Sequence, residues 1–329
     1  MSDISLNIAC VLTDRTRPLF DGRVSIEGVH LNPVPGEPED IFRRAVREAT
    51  YELTEMSMSS HMLMTAQGRP HYTAIPVFLS RAFRHSGVFV RTDRGITRPE
   101  DLKGKRIGVP EYQQTAILWM RGILRDFHGI GVADASWHTG GVVTPGLGER
   151  LSLDLPSHIS VTPVPAGETL DSMLARGDLD AVISTRVPTC VDDPAKPVAR
   201  LFPDYRRVEA DYHRQTGFFP IMHCLAIRND VAAAYPDLPA KLFRACVAAR
   251  NLAIAEIGLV NAFRLTLPWP MAVLDDVRRL MGEDFWSYGF ARNREEIATM
   301  TRYSQEDCLT QRRVAPEELF EASTLELVA

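Results

Sequence analysis

The sequence predicts an α/β protein of two lobes, with two hinge crossovers between them and a helical C-terminal part packed on the first lobe. Three observations carry this. The chain has 329 residues, more than one hydrophobic core ordinarily serves. From Leu6 to Ile183, short apolar runs of strand length alternate with amphipathic helical stretches, the pattern of a largely parallel sheet covered by helices. Between Arg81 and Tyr112, two apolar runs (residues 87–90 and 106–109) bracket the polar string Pro99-Glu100-Asp101-Leu102-Lys103-Gly104. There the chain leaves one lobe and begins the next, and residues 217–227 form the returning crossover. The first lobe is expected to hold residues 1–90 and 217–329, and the second residues 91–216.

Taken in order, residues 6–12 read as a strand, and the loop Thr13-Asp14-Arg15-Thr16-Arg17-Pro18 follows. Ligands of open α/β sheets bind beyond the carboxyl ends of strands, which makes Arg15 a candidate. A solvated loop arginine explains it equally well. Residues 29–34 are a second strand, and Pro38-Glu39-Asp40 opens a helix over 41–49 with its acidic residues where the helix dipole favours them. Residues 51–56 are a third strand. The string Ser57-Met58-Ser59-Ser60-His61 behind it sets hydroxyl groups at a strand-to-helix junction. Ser59 and Ser60 are therefore anion-binding candidates, although helix capping accounts for one such serine. Residues 72–78 are another strand, and Arg81, Arg84 and His85 follow it closely.

In the second lobe, Glu111, Tyr112 and Thr115 lie between the strand over 106–109 and a helix over 116–127. Residues 134–137 and 158–164 are strands, 170–176 a helix ended by Gly177 as a C-cap requires, and 178–183 a strand followed by Arg186. Residues 202–215 read as an irregular charged connector. His223 stands inside the apolar return run, where a charge needs a partner. From Pro239 onward the spacing is helical, over 242–256, 273–281, 294–302 and 316–322. Trp269, Trp286 and Tyr288 of this part suit either core packing or a contact between copies, so a homo-oligomer is open.

A net charge of −5 argues against a partner dominated by nucleic-acid phosphates. The residues at the N-terminus lack the basic and apolar regions of a secretory signal, and no run approaches a membrane span, so a cytoplasmic protein is expected. The five cysteines are scattered, without metal-finger spacing or a disulfide framework. Dinucleotide, P-loop, nucleophile-elbow and zinc-protease motifs are missing; the histidines show no metal-ligand spacing and nothing demands a metal, although a metal stays open where His61, His85 and His223 could converge.

The stretch from Arg81 to Tyr112 resembles the crossover of a type-2 periplasmic-binding-protein fold, in which a cleft between the lobes holds a small anion. A more specific likeness is carried by the strings EGVHLNPVPGEPEDIFRRAV, YELTEMSMSS, IPVFLSRAFRHSGVFV, DLKGKRIGVPEYQQTA, TGFFPIMH and MGEDFWSYG. These resemble the 4,5-dihydroxyphthalate decarboxylase family over nearly the whole chain. The resemblance implies a cytoplasmic carboxy-lyase without organic cofactor that converts 4,5-dihydroxyphthalate to 3,4-dihydroxybenzoate and carbon dioxide. In that substrate each carboxylate is para to a hydroxyl, so protonation of the carboxylate-bearing ring carbon precedes loss of carbon dioxide. Such chemistry needs cations on one carboxylate, for which Arg15, Arg81, Arg84 and Arg186 are candidates. Ser59, Ser60 and Thr115 would be neutral donors. It also needs a proton carrier, for which His223 is the first candidate and His85 the second, while Glu111 or Tyr112 would orient the hydroxyls. The alternative is a solute-binding or sensor protein for an aromatic carboxylate on the same scaffold.

Overall fold

The computed structural model describes residues 4–146 and 148–329. In chain order its elements are β1 (Ile4–Ala9), β2 (Val29–Val34), α1 (Pro38–Glu48), β3 (Leu53–Ser57), α2 (Met58–Ala66), β4 (Tyr72–Arg81), β5 (Val88–Arg91), β6 (Arg106–Val109), α3 (Thr115–His128), β7 (Ser136–Thr139), β8 (Val161–Pro163), α4 (Leu170–Arg176), β9 (Ala181–Ile183), β10 (Val198–Arg200), α5 (Tyr205–Thr216), β11 (Ile221–Arg228), α6 (Asn229–Ala234), α7 (Leu238–Ile257), α8 (Pro270–Met281) and α9 (Phe290–Glu306).

The chain folds into two compact units. One holds residues 1–81, 216–298 and 314–329; the other holds 82–215 and 299–313. This differs from the expected boundaries in two ways. The first crossing falls directly after Arg81, because β5 pairs with β9 and β10 of the second unit. The C-terminal part is also divided: α9 runs out of the first unit, and 299–313 fold with the second.

The first unit is built on a five-stranded sheet of order β2-β1-β3-β11-β4. β1 is parallel to β2 and β3, while β11 is antiparallel to β3 and β4. β3 is buried along its whole length, as a strand covered on both faces must be. It turns straight into α2, whose residues from Met58 to Thr65 are all buried, the mark of a helix inside the core.

The second unit has a six-stranded sheet of order β10-β5-β9-β6-β7-β8. α3 crosses over between the parallel strands β6 and β7. Gly122 in α3 admits Tyr303 at closest approach: a Cβ there would lie 2.0 Å from the tyrosine ring. A buried ion pair sits beside it, with Arg121 Nε donating to Asp307 Oδ2 at 2.7 Å.

α5 lies in the stretch expected to be irregular. Five of its twelve residues are charged, and Tyr212 is its one buried residue, too thin an apolar stripe to show as a period. Trp269 is 73% exposed, whereas Tyr288 is buried in the first unit. Among the described residues no helix is long and apolar enough to cross a membrane.

Candidate active site

In the first unit the chemistry gathers on β3 and β11. His223 stands opposite Ser57, and Leu225 stands opposite Glu55. Side chains alternate along strands, so Glu55 and His223 are diagonal neighbours on one face. Glu55 Oε1 lies 2.7 Å from His223 Nδ1, and its Oε2 accepts the Val11 N–H at 2.9 Å. The carboxyl group is buried at 3% exposure and survives there because both oxygens are hydrogen-bonded. A carboxylate only accepts, so Nδ1 is the donor, and Nε2 is the ring nitrogen left for chemistry. The Phe42 ring meets the imidazole edge-on, with centroids 4.7 Å apart.

The ladder between β11 and β4 slips on both sides of His223. Such bulges re-aim a side chain at the cost of local pairing. His223 keeps 18% of its side chain accessible while Glu55 keeps 4%. An imidazole so placed, partly accessible and held by a buried carboxylate, is chemically able to carry a proton. Sequence reasoning missed Glu55, because residues 51–56 (YELTEM) mix apolar and polar side chains and do not show which glutamate is buried.

Arg15 is held in a fixed pose in the same unit. Its guanidinium lies 3.9 Å from the centroid of the Trp286 ring, pairs with Asp14 at 2.8 Å and donates to Leu79 O at 3.2 Å. A stacked guanidinium presents its remaining edge in a set plane, which suits a carboxylate. Ser59 and Ser60 are buried in the first turn of α2.

Arg81 does not serve as expected. It is 5% exposed, and its donors reach Phe219 O at 2.7 Å, Ser287 O at 2.9 Å, Asn293 and, at 3.2 Å, Glu296. The carboxylate it neutralises is internal, so Arg81 holds β4 to the C-terminal helices of its own unit. His61 donates to Leu319 O at 2.7 Å, and burial holds its pKa below the ordinary imidazole value. It too is a structural residue.

The second unit holds the other candidates. His85 is 3% exposed, meets Phe202 and Tyr212 at 5.4 Å each, and its Nδ1 has no hydrogen-bond partner among the described residues. Burial, with a smaller contribution from His128, holds its pKa down to about 4. Near neutrality it is an uncharged ring in an aromatic cage, poorly suited to donating protons. Burial also pulls the neighbouring Arg84 down to about 10, against the attraction of Glu209.

After β6, Glu111 accepts from Arg150 at 2.7 Å, and both are buried. Tyr112 is 0% exposed. Its hydroxyl donates to Asp307 O at 3.2 Å and Arg121 stacks on its ring at 3.8 Å, so it is a core residue rather than an orienting group for a ligand. Glu149, which sequence reasoning missed along with Arg150, accepts from Tyr112 N–H and from Gln113 Nε2. Burial pushes it above the usual carboxylate range despite those bonds. Nothing in the loop sequence at 140–150 signals this cluster. Thr115 is buried at the start of α3, and Arg186 is exposed behind β9 with its N–H on Ser184 Oγ at 2.9 Å. Among the described residues no group of three or more His, Cys, Asp or Glu side chains is placed to hold a metal ion.

These two mixed sheets, the second with its antiparallel pairings at the β10-β5-β9 edge, define a type-2 periplasmic-binding-protein-like fold. Solved structures of that fold are similar throughout. A periplasmic sulfonate-binding protein of Methylobacillus flagellatus is 13% identical with a TM-score of 0.56, covering 97% of this chain and 92% of its own. The periplasmic aliphatic sulphonate binding protein of Escherichia coli is 11% identical with a TM-score of 0.54, covering 99% of this chain and 100% of its own. A family model described as NMT1/THI5 like matches residues 26–129.

Sequence relatives narrow the class. A Comamonas testosteroni protein named 4,5-dihydroxyphthalate decarboxylase is 44% identical over 326 residues, covering 99% of both chains. One of the same name from Pseudomonas putida is 44% identical over 218 residues, covering 66% of this chain and 84% of its own. The chain belongs to the 4,5-dihydroxyphthalate decarboxylase family.

Proposed function

We propose that this protein is a carboxy-lyase that converts 4,5-dihydroxyphthalate to 3,4-dihydroxybenzoate and carbon dioxide, with His223 as proton carrier. Family membership supports the reaction, and the Glu55–His223 pair is the observation that supports the mechanism. Ionising the hydroxyl para to a carboxylate raises electron density on the carbon that bears it. Protonated His223 delivers the Nε2 proton to that carbon, which becomes tetrahedral while the ring takes a keto form. The bond to the carboxylate then breaks and its electron pair restores the aromatic ring. Carbon dioxide leaves, and solvent, which took the hydroxyl proton at the outset, returns one proton to the product oxygen and one to His223. Glu55, on Nδ1, stabilises the imidazolium and fixes which nitrogen faces the ring. Arg15 holds the second carboxylate, a role its pose on Trp286 supports.

In this reading no metal or organic cofactor takes part, since every step is a proton transfer or a bond cleavage assisted by the substrate's own hydroxyl. A cytoplasmic location belongs to the same proposal, and five free thiols suit a reducing compartment. Self-association through the exposed side chains of Val260, Phe263 and Trp269 is tested by sedimentation.

The deciding experiment incubates chelator-treated protein with 4,5-dihydroxyphthalate and follows carbon dioxide release and the ultraviolet spectrum. Release by the wild type and its loss in His223→Ala, with the fold intact, is the expected result. Binding without release assigns the chain to ligand capture, and release that requires added metal ends the cofactor-free mechanism.

A further inference from the structure

Away from the Glu55–His223 pair, the first unit carries a pocket of about 300 Å³ lined by residues of the loop after β1 and of the end of α7. Its charge is uneven. Arg23 is satisfied by Asp21 and Glu256, each at 2.7 Å, and Asp14 by Arg15. The remaining cations are Arg17 and Arg264, both exposed. Neither guanidinium makes a hydrogen bond or ion pair among the described residues, and Asp21 acts on Arg17 only through space. Ala253, Ile257 and Leu265 supply an apolar wall beside them.

Two uncommitted guanidinium groups next to an apolar wall select an anion with a flat apolar body. Arginine binds carboxylates in a bidentate fashion, and a pocket at the small end of the ligand-site range holds one ring rather than several. We propose that this pocket is a second binding site, for a small single-ring aromatic carboxylate. Arg17 and Arg264 hold the carboxylate, and Ala253, Ile257 and Leu265 receive the ring.

Occupancy is felt at Arg15. Asp14 lines the pocket and also holds the Arg15 guanidinium. An anion bound there makes the potential at Asp14 more negative and tightens its hold on Arg15. By linkage, whatever draws Arg15 away from Asp14 weakens the second site. This coupling rests on the role proposed above for Arg15; the site itself does not.

The test is equilibrium dialysis with labelled benzoate at low ionic strength, where exposed arginines act most strongly. The wild type is compared with the double variant Arg17→Gln/Arg264→Gln, with melting temperature as the control for folding. The expected result is one fewer benzoate per chain in the double variant, or an affinity at that site lower by about tenfold or more. Equal stoichiometry and affinity in the two proteins overturns the site. Leu265→Glu, which adds an anion to the wall, gives the same loss by an independent route. Displacement of benzoate by an equal concentration of inorganic phosphate overturns the aromatic selection. His223→Ala is expected to retain the second site, so failure of the catalytic reading and failure of this one are separate outcomes.

Discussion

Replacing Glu55 by glutamine tests the proposed mechanism more sharply than removing the histidine. Two N–H donors face the two Glu55 oxygens: His223 Nδ1 at 2.7 Å and the Val11 amide at 2.9 Å. Glutamine has one oxygen and one NH₂ group, so it satisfies one donor and opposes the other. With its oxygen toward Val11, the NH₂ group faces Nδ1, which must then be an acceptor. An imidazolium has no such acceptor and cannot form there. With its oxygen toward His223, the NH₂ group faces the part-buried Val11 N–H, at a cost of about 1 kcal/mol in stability. A charge-assisted hydrogen bond is worth about 1.5–3 kcal/mol, so kcat falls roughly ten- to hundredfold at 1.36 kcal/mol per decade.

The assay is carbon dioxide release at saturating substrate, alongside thermal unfolding of each variant. Residues that act as one unit are not additive. Glu55→Gln in a His223→Ala background should therefore lower kcat no further. A glutamine variant with kcat within about twofold of the wild type, below the loss of even one weak hydrogen bond, refutes the role of Glu55. Additive losses in the double variant refute the coupling.

Other expectations follow from the same geometry. The pKa of His85 is held down to about 4, against about 6.5 in an unfolded chain. The unfolded state therefore takes up the proton first, and the folded state loses up to about 3 kcal/mol as pH falls from about 6.5 to 4. Denaturant midpoints across that range should slope less in His85→Phe, which keeps the contacts with Phe202 and Tyr212; parallel slopes contradict the assignment. Gly122→Ala drives a methyl group into Tyr303, whose ring edges onto Trp119 and whose hydroxyl donates to Asp126 at 2.8 Å. A loss of about 3 kcal/mol is expected from chemical denaturation, and a loss under about 1 kcal/mol, an ordinary mutational effect, means the ring yields. Arg81→Met leaves Glu296 buried without its cation, which costs about 3–5 kcal/mol, with KM unchanged in the folded fraction at low temperature. A raised KM at full stability returns Arg81 to the substrate.

The regular part of the fold was legible because its apolar runs have one meaning. β2, β6 and α4 fall where composition places them, and β11 overlaps the return crossover, running one residue past it, with His223 inside. α5 escaped because a helix touching the core through little more than Tyr212 carries almost no apolar period. Among the site candidates, His223 and Arg15 stand where the sequence places them, one within a strand and one in the loop after a strand. Arg81 misled because position at a strand end says nothing about a carboxylate arriving from Glu296, 215 residues later. Glu55 and Glu149 were missed for the same reason. Their importance lies in what burial does to a carboxyl group, and burial is decided by contacts distant in sequence.

The Arg121–Asp307 pair bears on the order in which the protein is synthesised. The sheet of the second unit is complete once residue 200 has been made. Yet Arg121, buried in its helix, receives its carboxylate from a residue 186 positions further on. Until that residue leaves the ribosome, the half-built unit holds an unneutralised charge at its centre, a state several kcal/mol less favourable than the finished one. A chain cut short before Asp307 would carry every strand of that sheet and still open readily. The segment that carries Asp307 therefore distinguishes a closed second unit from one cut short of it, and leaves the shorter chain open to proteolysis.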